Sequence, residues 1–326
     1  MSLALVQLVL LATLLFGAAG SLTTALVYPQ VRDRILRRPA ADRVGLVLTW
    51  ITLPLLLALT LTVACVLPSL LQLVFREVVD HCVTHPDHHV HLCLIHQPAG
   101  GGSALAWSAL ALLAAVGLRA VMRVARALRS AHRAIEPLLA RAETDGELRI
   151  GWIRCPLPMA LTVGLLRPRV LISDALREQL PEKLLEAVIA HERAHERRRD
   201  VAKRALASVL ARLHTPATRR LLLEDLVVAT ELAADAEAAR AVGSSLRVAD
   251  AILAVEHLTA GVRPNQLALA FGEASVGARI EALLAPAITP RRRHRVAWVA
   301  GTLSIVAVLA LPLHHAVETL LTSLVK

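Results

Sequence analysis

Four long runs without a charged residue limit what this chain can fold into more than any other feature. They cover residues 2–27, 44–75, 100–118 and 296–317. Each run reaches the ~18 residues that an apolar helix needs to cross a bilayer. Buried helices of a soluble protein are the alternative, but globular cores use much shorter uncharged runs. The mean hydropathy of +0.57 also exceeds that of a typical soluble domain. The sequence therefore predicts a membrane protein with four transmembrane helices.

The first run could instead be a cleaved signal peptide, since small residues at 17–21 offer a cleavage point. A signal peptide begins with a basic segment, which this run lacks. Cleavage would also leave residues 28–43 outside the cell, although they contain five arginines and only two aspartates. Because arginine-rich loops stay in the cytoplasm, we predict that the first helix is retained.

Arginines also orient the other predicted helices. The loop of residues 69–101 contains a single basic residue, Arg76, whereas arginines follow the third run and precede the fourth. These arginines are Arg119, Arg123, Arg126, Arg129, Arg133, Arg291, Arg292, Arg293 and Arg295. The positive-inside rule then places the N- and C-termini outside the cell and the long region between the third and fourth helices in the cytoplasm.

The predicted organisation has three parts. Residues 1–122 hold three transmembrane helices and an external, histidine-rich loop at 69–101. Residues 123–294 form a cytoplasmic domain, and residues 295–326 form the fourth transmembrane helix with a short external tail. We expect the first three helices at about 2–27, 44–68 and 102–122.

The net charge of +10 follows mainly from the predicted cytoplasmic loops. A basic surface could also bind anionic lipid headgroups or nucleic acid. Only 2% of the residues are aromatic, which argues against binding that depends on base stacking. We therefore expect the lipid bilayer as a partner and no direct contact with nucleic acid.

The external loop holds six of the 14 histidines of the chain, together with Cys82 and Cys93. A metal-binding or pH-sensing role is one interpretation, and a solvated loop closed by a disulfide is the other. Cys65 lies in the second run and Cys155 in the predicted cytoplasmic domain, where thiols stay reduced.

The strongest functional motif is His191-Glu192-Arg193-Ala194-His195, within a segment of helical pattern. Positions i and i+4 share one face of a helix, so both imidazoles can bind a single Zn²⁺. Glu192 follows the first histidine and is placed to act as the general base on an attacking water. The alternative is a solvated helix that carries these residues without a metal. A third ligand would decide between the two.

A catalytic zinc site takes three protein ligands, and a second helical segment offers the third. This segment begins at Thr215-Pro216 and ends before Gly243, and it places Glu231 and Asp235 at i and i+4. Glu231 can serve as the third ligand, while Asp235 can accept the N–H of a ligating histidine. An exposed acidic pair is the alternative. Arg240 and Arg279 are candidates for binding the oxyanion or the substrate.

Between the third span and the zinc motif, the pattern changes twice. A basic helix is predicted to continue the third span from Met122 to Glu143. Short apolar runs in residues 148–173 then predict two or three strands, of which Arg169–Ser173 is the clearest. As an edge strand it could pair with an extended peptide substrate; an ordinary core strand is the alternative. Ser173 or Asp174 should cap a short helix, and Pro181 fits the first turn of the next.

Together these segments resemble the gluzincin domain shared by HtpX-type membrane proteases and the BlaR/MecR family. The motifs that carry the resemblance are Gly164–Ser173, the histidine motif with Asp200 five residues on, and Glu231 with Asp235. The order of three spans, a domain and one span is more similar to BlaR/MecR. The resemblance implies an α-helical membrane protein with four transmembrane helices and a cytoplasmic, mainly helical α+β gluzincin zinc-peptidase domain.

In that family, the resemblance implies a zinc metalloendopeptidase that, when activated, inactivates a BlaI/MecI-type transcriptional repressor. Antibiotic receptors of the family carry a penicillin-binding sensor after the last span, with a Ser-x-x-Lys nucleophile. This chain ends at Lys326, a few residues past the fourth predicted span, so we do not expect direct β-lactam acylation.

Two other functions remain open. The same site would serve an HtpX-like housekeeping protease that degrades misfolded membrane proteins. A non-catalytic membrane sensor with a structural zinc site and a metal-binding external loop is the third reading. Glu192 weighs against that sensor, because a structural zinc site needs no general base.

Overall fold

The computed structural model of the chain describes residues 2–74, 92, 94–95, 102–140, 142–144, 150–259, 275–285, 316 and 319. The helices are α1 (Leu3–Leu36), α2 (Ala40–Val74), α3 (Ala104–Ala140), α4 (Asp174–Gln179), α5 (Glu182–Arg198), α6 (Asp200–Leu210), α7 (Pro216–Val242), α8 (Ser245–Thr259) and α9 (Val276–Leu284). The strands are β1 (Glu143–Thr144), β2 (Ile150–Ile153), β3 (Ala160–Val163) and β4 (Arg169–Ser173). A 3₁₀ turn, Ala211–Leu213, links α6 to α7.

Three of the described helices are long and apolar enough to cross a membrane, over Leu3–Leu36, Ala40–Leu67 and Ala104–Ser130. They correspond to the first three predicted spans. Nearly all of the fourth predicted span and most of the histidine-rich loop, with Cys82 and Cys93, lie outside the described residues.

The first two spans are longer than predicted. α1 continues through most of the predicted cytoplasmic loop to Leu36, and α2 begins at Ala40. Arginines do not end a helix, since their long side chains can reach water from a helical backbone. α3 likewise continues beyond the predicted span, as the basic pattern after Met122 indicated, but it ends at Ala140, and Glu143, the predicted end of the basic helix, lies in β1.

α1 and α2 pack closely as an antiparallel pair, called here the transmembrane hairpin. A Cβ on Gly20 would lie 2.8 Å from the Cα of Pro54, so only glycine permits this approach. The hydroxyls of Thr13 and Thr62 form a hydrogen bond of 3.0 Å between the two helices. Small residues and shared hydroxyls are typical of helix contacts within membranes.

The four strands form one sheet in the order β1-β2-β4-β3. β4 pairs in parallel with β2 and antiparallel with β3. The sequence correctly identified β4, Arg169–Ser173, but the edge position considered for it was wrong. Val170, Leu171 and Ile172 are all buried, and a strand that is apolar on both faces belongs inside a sheet. Among the described strands, β3 forms the edge on that side.

The predicted helix boundaries are largely confirmed. The hydroxyl of Ser173 accepts a hydrogen bond from the N–H of Leu176 and caps α4. Thr215 caps α7, and Gly243 ends it with a positive φ of 74°. Pro181 occupies the N-cap of α5, one residue before the position predicted for it.

α7 lies between two cores because it is apolar on two sides. Leu222, Leu226, Ala229 and Ala233 pack with the transmembrane hairpin. Ala238 and Ala239 pack with α5, α8 and the sheet. α7 therefore connects the membrane helices to the helix that carries the two histidines.

Candidate metal centre

α5 carries the two histidines on one face. Ala187 and Val188 pack α5 into the core, and the i, i+4 spacing directs His191 and His195 to the same side. Their ring centroids are 4.7 Å apart, and their Nε2 atoms are 3.1 Å apart. Two imidazole nitrogens therefore face one point beside α7.

Glu231 of α7 faces the same point. Its Oε2 lies 3.5 Å from His191 Nε2, and its Oε1 lies 3.5 Å from His195 Nε2. One ligand atom from each of the three residues fits within 4.8 Å of the others. The structure thus brings together the three residues that the sequence predicted as metal ligands.

The other nitrogen of each imidazole faces a buried carboxylate. His191 Nδ1 lies 2.8 Å from Asp235 Oδ1, a close contact without the geometry of a hydrogen bond, so acceptance of the His191 N–H by Asp235 stays a prediction. His195 Nδ1 lies 3.0 Å from Asp200 Oδ2. Carboxylates at Nδ1 keep the proton there and leave Nε2 free to bind a metal.

In the sequence, Asp200 belongs to the motifs that carry the family resemblance, but its contact with His195 was not predicted. The left-handed residue Arg199, with φ 54°, turns the chain between α5 and α6 and brings Asp200 back to His195. Arg198 and Lys203 also bind the carboxylate of Asp200, at 3.1 Å each. The position of an acidic residue just after α5, the helix that carries the two histidines, was the sequence signal for this contact.

The donor set fits Zn²⁺. Two imidazole nitrogens and one carboxylate oxygen form the kind of three-ligand set that catalytic zinc sites use, with a fourth position left open. Both histidines and Glu231 are largely buried, with side chains between 9% and 15% exposed. Imidazole nitrogens together with a carboxylate oxygen are a donor set that suits Zn²⁺.

The carboxylates control the protonation of the imidazoles in the metal-free protein. Burial opposes the charged form of His191, but Asp235 and Glu231 outweigh it and raise its pKa to about 10. The pKa of His195 is also raised, because Asp200 and Glu231 outweigh its burial. Burial acts in the opposite direction on Glu231, but both histidines hold its pKa well below the usual range.

Arg279 of α9 joins the cluster from 44 residues away in sequence. Its guanidinium binds Asp235 through two hydrogen bonds of 2.8 and 2.7 Å. Its Nη1 also lies 3.7 Å from Glu231 Oε2. Arg240 is exposed, and its Nε donates to the carbonyl of Ala236 on its own helix. Of the two arginines predicted near the site, the structure brings Arg279 to the ligand residues and leaves Arg240 outside them.

Arg204 is a second arginine at the cluster, and the sequence analysis missed it. Its Nη2 lies 2.6 Å from Glu231 Oε1, and its Nε donates to the hydroxyl of Thr230 at 2.9 Å. α6 therefore presents Asp200 to one proposed ligand and Arg204 to another. Their i, i+4 spacing immediately after the motif helix was a signal for this arrangement.

Glu192 points towards the edge of the sheet. It is 9% exposed, and its Oε2 lies 2.8 Å from the hydroxyl of Thr162 on β3. The same hydroxyl lies 2.8 Å from the carbonyl of Glu192, so its single proton can serve either oxygen. Thr162 was also missed, since only tertiary packing places β3 beside α5.

A comparison with protein-family models identifies a family for this chain. A family model described as BlaR1 peptidase M56 matches residues 101–283, more than half of the chain. The match agrees with the resemblance to the BlaR/MecR family and includes the cluster of His191, His195 and Glu231. Neither the curated proteins nor the solved structures contain a match to the chain.

Zinc uptake should release protons from the metal-free protein. His191 is protonated at pH 8 because its pKa is about 10, and a histidine must lose that proton to bind the metal. We expect about one proton per zinc at pH 8, measured by titration calorimetry in buffers of different ionisation enthalpy. Asp235→Asn should reduce the release, whereas Glu182→Gln, an exposed change on α5, should not. Zinc uptake without proton release would contradict this account of the histidines.

Proposed function

The chain belongs to the BlaR1 peptidase M56 family, and from that premise we propose that it is a membrane-bound zinc metalloendopeptidase. The convergence of His191, His195 and Glu231 within 4.8 Å carries this proposal. The fit of their donor atoms to a catalytic zinc site supports it further.

His191, His195 and Glu231 would hold the zinc ion. A bound zinc lowers the pKa of a water molecule and polarises the carbonyl of the scissile peptide bond. In this proposal Asp200 and Asp235 orient the two histidines: Asp200 hydrogen-bonds His195 Nδ1, and Asp235 lies 2.8 Å from His191 Nδ1.

Glu192 is the proposed general base. It takes a proton from the attacking water and passes it to the leaving amine. Its buried carboxylate can accept a hydrogen bond from Thr162, which limits the positions that the base can take. Thr162 is thus a positioning residue for Glu192 in this proposal.

The two arginines predicted for the oxyanion or the substrate receive different support. Arg279 binds Asp235 through two nitrogens, which favours a role in holding that carboxylate against His191. Its 3.7 Å distance from Glu231 also keeps a positive charge beside the proposed ligands. For Arg240 the contacts on α7 offer no support, and its role in substrate binding stays a prediction.

The edge strand β3 is the proposed binding surface for a peptide substrate. An extended peptide can add to a free sheet edge through main-chain hydrogen bonds. Among the described strands, β3 occupies the edge position that the sequence analysis considered for Arg169–Ser173. Since Thr162 of β3 contacts Glu192, a peptide paired with this edge would lie beside the proposed base.

We place the peptidase domain on the cytoplasmic side of the membrane. Arg32 near the end of α1 binds Asp225 of α7, so the domain packs against the arginine-rich end of the transmembrane hairpin. Arginine-rich ends of membrane helices stay inside the cell. This contact supports residues 123–294 as the cytoplasmic domain, and the external position of the N- and C-termini stays a prediction.

For the substrate we propose a cytoplasmic or membrane-associated protein, and specifically a BlaI/MecI-type repressor. The support is the family match together with a proposed site at the inner membrane surface. A peptidase held by membrane helices can reach proteins that diffuse to that surface. Misfolded membrane proteins are the alternative substrates of an HtpX-like enzyme.

The proposed base gives the first prediction from the proposed function. Glu192→Gln should retain about one zinc per protein and lose about 10²-fold or more in cleavage rate, because the ligands remain while the base is lost. Zinc can be measured by atomic absorption, and cleavage with casein as a model substrate. His191→Ala and Glu231→Ala should lose both the metal and the cleavage activity, because each removes a proposed ligand. Glu182→Gln, the matched exposed change on α5, should behave like the wild type. Full activity of Glu192→Gln would disprove the mechanism.

The proposed topology gives the second prediction. A reporter fused after Arg38 or Arg199 should be active in the cytoplasm, and one fused near His88 should be active outside, because arginine-rich segments remain inside. Paired phosphatase and fluorescent-protein fusions measure this. A cytoplasmic signal from His88 would invert the topology and exclude a cytoplasmic repressor as substrate.

The repressor gives the third prediction. Deletion of the gene should leave a BlaI-type repressor intact under inducing conditions, with its target genes silent, and Glu192→Gln should have the same effect. Immunoblots of the repressor and transcript levels of its targets are the measurements. Normal repressor cleavage together with accumulation of misfolded membrane proteins would favour the HtpX-like function.

A further inference from the structure

A buried carboxylate outside the metal centre joins the membrane helices to α7. Asp225 is 3% exposed, and the proposed reaction makes no use of it. The hydroxyl of Tyr28 donates to its Oδ2 at 2.7 Å. Arg32 donates through Nε to Oδ2 at 2.8 Å and through Nη2 to Oδ1 at 2.7 Å. Tyr28, Arg32 and Asp225 together are called the hairpin clamp.

The hairpin clamp fixes both position and direction. Two parallel hydrogen bonds from a guanidinium hold a carboxylate in one plane, and Tyr28 adds a third donor from the preceding turn of α1. Tyr28 is fully buried and packs edge-on against Trp50 of α2. A shift of α1 along its axis would separate these groups and leave the charge of Asp225 buried without a partner.

A second tie supports the same contact. His214, just before α7, donates from Nε2 to the carbonyl of Ile51 in α2 at 3.1 Å. Leu222 packs against the hairpin between the two ties, and Leu226 and Ala229 pack against it between Asp225 and Glu231. The N-terminal end of α7 is therefore attached to both helices of the transmembrane hairpin, α1 and α2.

The same rigid helix carries the proposed third ligand. Glu231 follows Asp225 by six residues without a break in α7, which corresponds to about 9 Å along the helix axis. Any displacement of the clamped end is transmitted to Glu231, since packed helices move as units. The two histidines lie on α5, so their distance from Glu231 depends on where α7 is held.

We propose that Tyr28, Arg32 and Asp225 are positioning residues of the peptidase, which hold α7 where Glu231 can meet His191 and His195. The inference rests on the proposed function, because Glu231 is the proposed ligand. It makes the transmembrane hairpin part of the catalytic unit and more than an anchor. A movement of α1 in the membrane would change the coordination of the metal.

The test uses the full-length protein in lipid nanodiscs with Co²⁺ as the probe, because its visible absorption reports the ligands and their geometry. Arg32→Gln and Asp225→Asn should weaken Co²⁺ binding by up to about 10-fold, less than the loss of a direct hydrogen-bond partner of a metal ligand, because they act through α7. Their absorption spectra should also differ from that of the wild type. Arg34→Gln is the matched control, since Arg34 lies exposed on the same helix, and it should leave both readouts unchanged.

Two more conservative variants test the same contacts if Arg32→Gln or Asp225→Asn does not fold. Tyr28→Phe keeps the ring packed against Trp50 and removes one hydrogen bond, and Arg32→Lys keeps the charge without the paired geometry. Both should fold, as judged by thermal unfolding of the metal-free protein, and both should show a smaller change in the Co²⁺ spectrum. Folded variants with the wild-type Co²⁺ affinity and spectrum would overturn the proposal.

Casein cleavage measured in parallel separates this inference from the proposed function. Changed Co²⁺ spectra in the clamp variants, with no cleavage by the wild-type protein, would retain the clamp and reject the peptidase. Cleavage by the wild type, with unchanged Co²⁺ spectra in the clamp variants, would retain the peptidase and reject the clamp.

Discussion

The largely buried carboxylates Glu231 and Asp235 each need a positive partner, and that requirement determines how four helices meet. Glu231 and Asp235 of α7 face the histidines of α5, while Arg204 of α6 and Arg279 of α9 complete the pairing. An unpaired charge in this interior would be strongly unfavourable, so none of these helices can shift without breaking the set. The same pairing that stabilises the contact also prepares two imidazole nitrogens and a carboxylate for a metal.

The membrane helices enter this arrangement through α7. Its two apolar sides bury the transmembrane hairpin on one side and the histidine helix on the other. Asp225 repeats the pairing rule at the membrane side, where Arg32 satisfies it. The proposed chemistry and the proposed membrane anchor therefore share one helix, which is a physical basis for coupling between them.

The proposed peptide-binding surface depends on the order of the strands. β4 fills the interior of the sheet because both of its faces are apolar, and among the described strands this leaves β3 at the edge beside Glu192. Thr162 links that edge to the proposed base. An extended polypeptide at β3 would thus be read by its backbone, which agrees with the proposed peptidase activity but specifies few side chains.

The sequence by itself determined the features that depend on neighbouring residues. These are the apolar spans, the caps at Ser173, Thr215 and Gly243, and the helical spacing that pairs His191 with His195 and Glu231 with Asp235. Helix geometry places residues at i and i+4 together whatever surrounds them. Only the tertiary structure decided which strand forms the edge and which residues reach the cluster from far away in the chain. Arg279 meets Asp235 across 44 residues, and Tyr28 meets Asp225 across 197. No local pattern encodes such pairs, because they arise from the packing of whole helices around charges that must be neutralised.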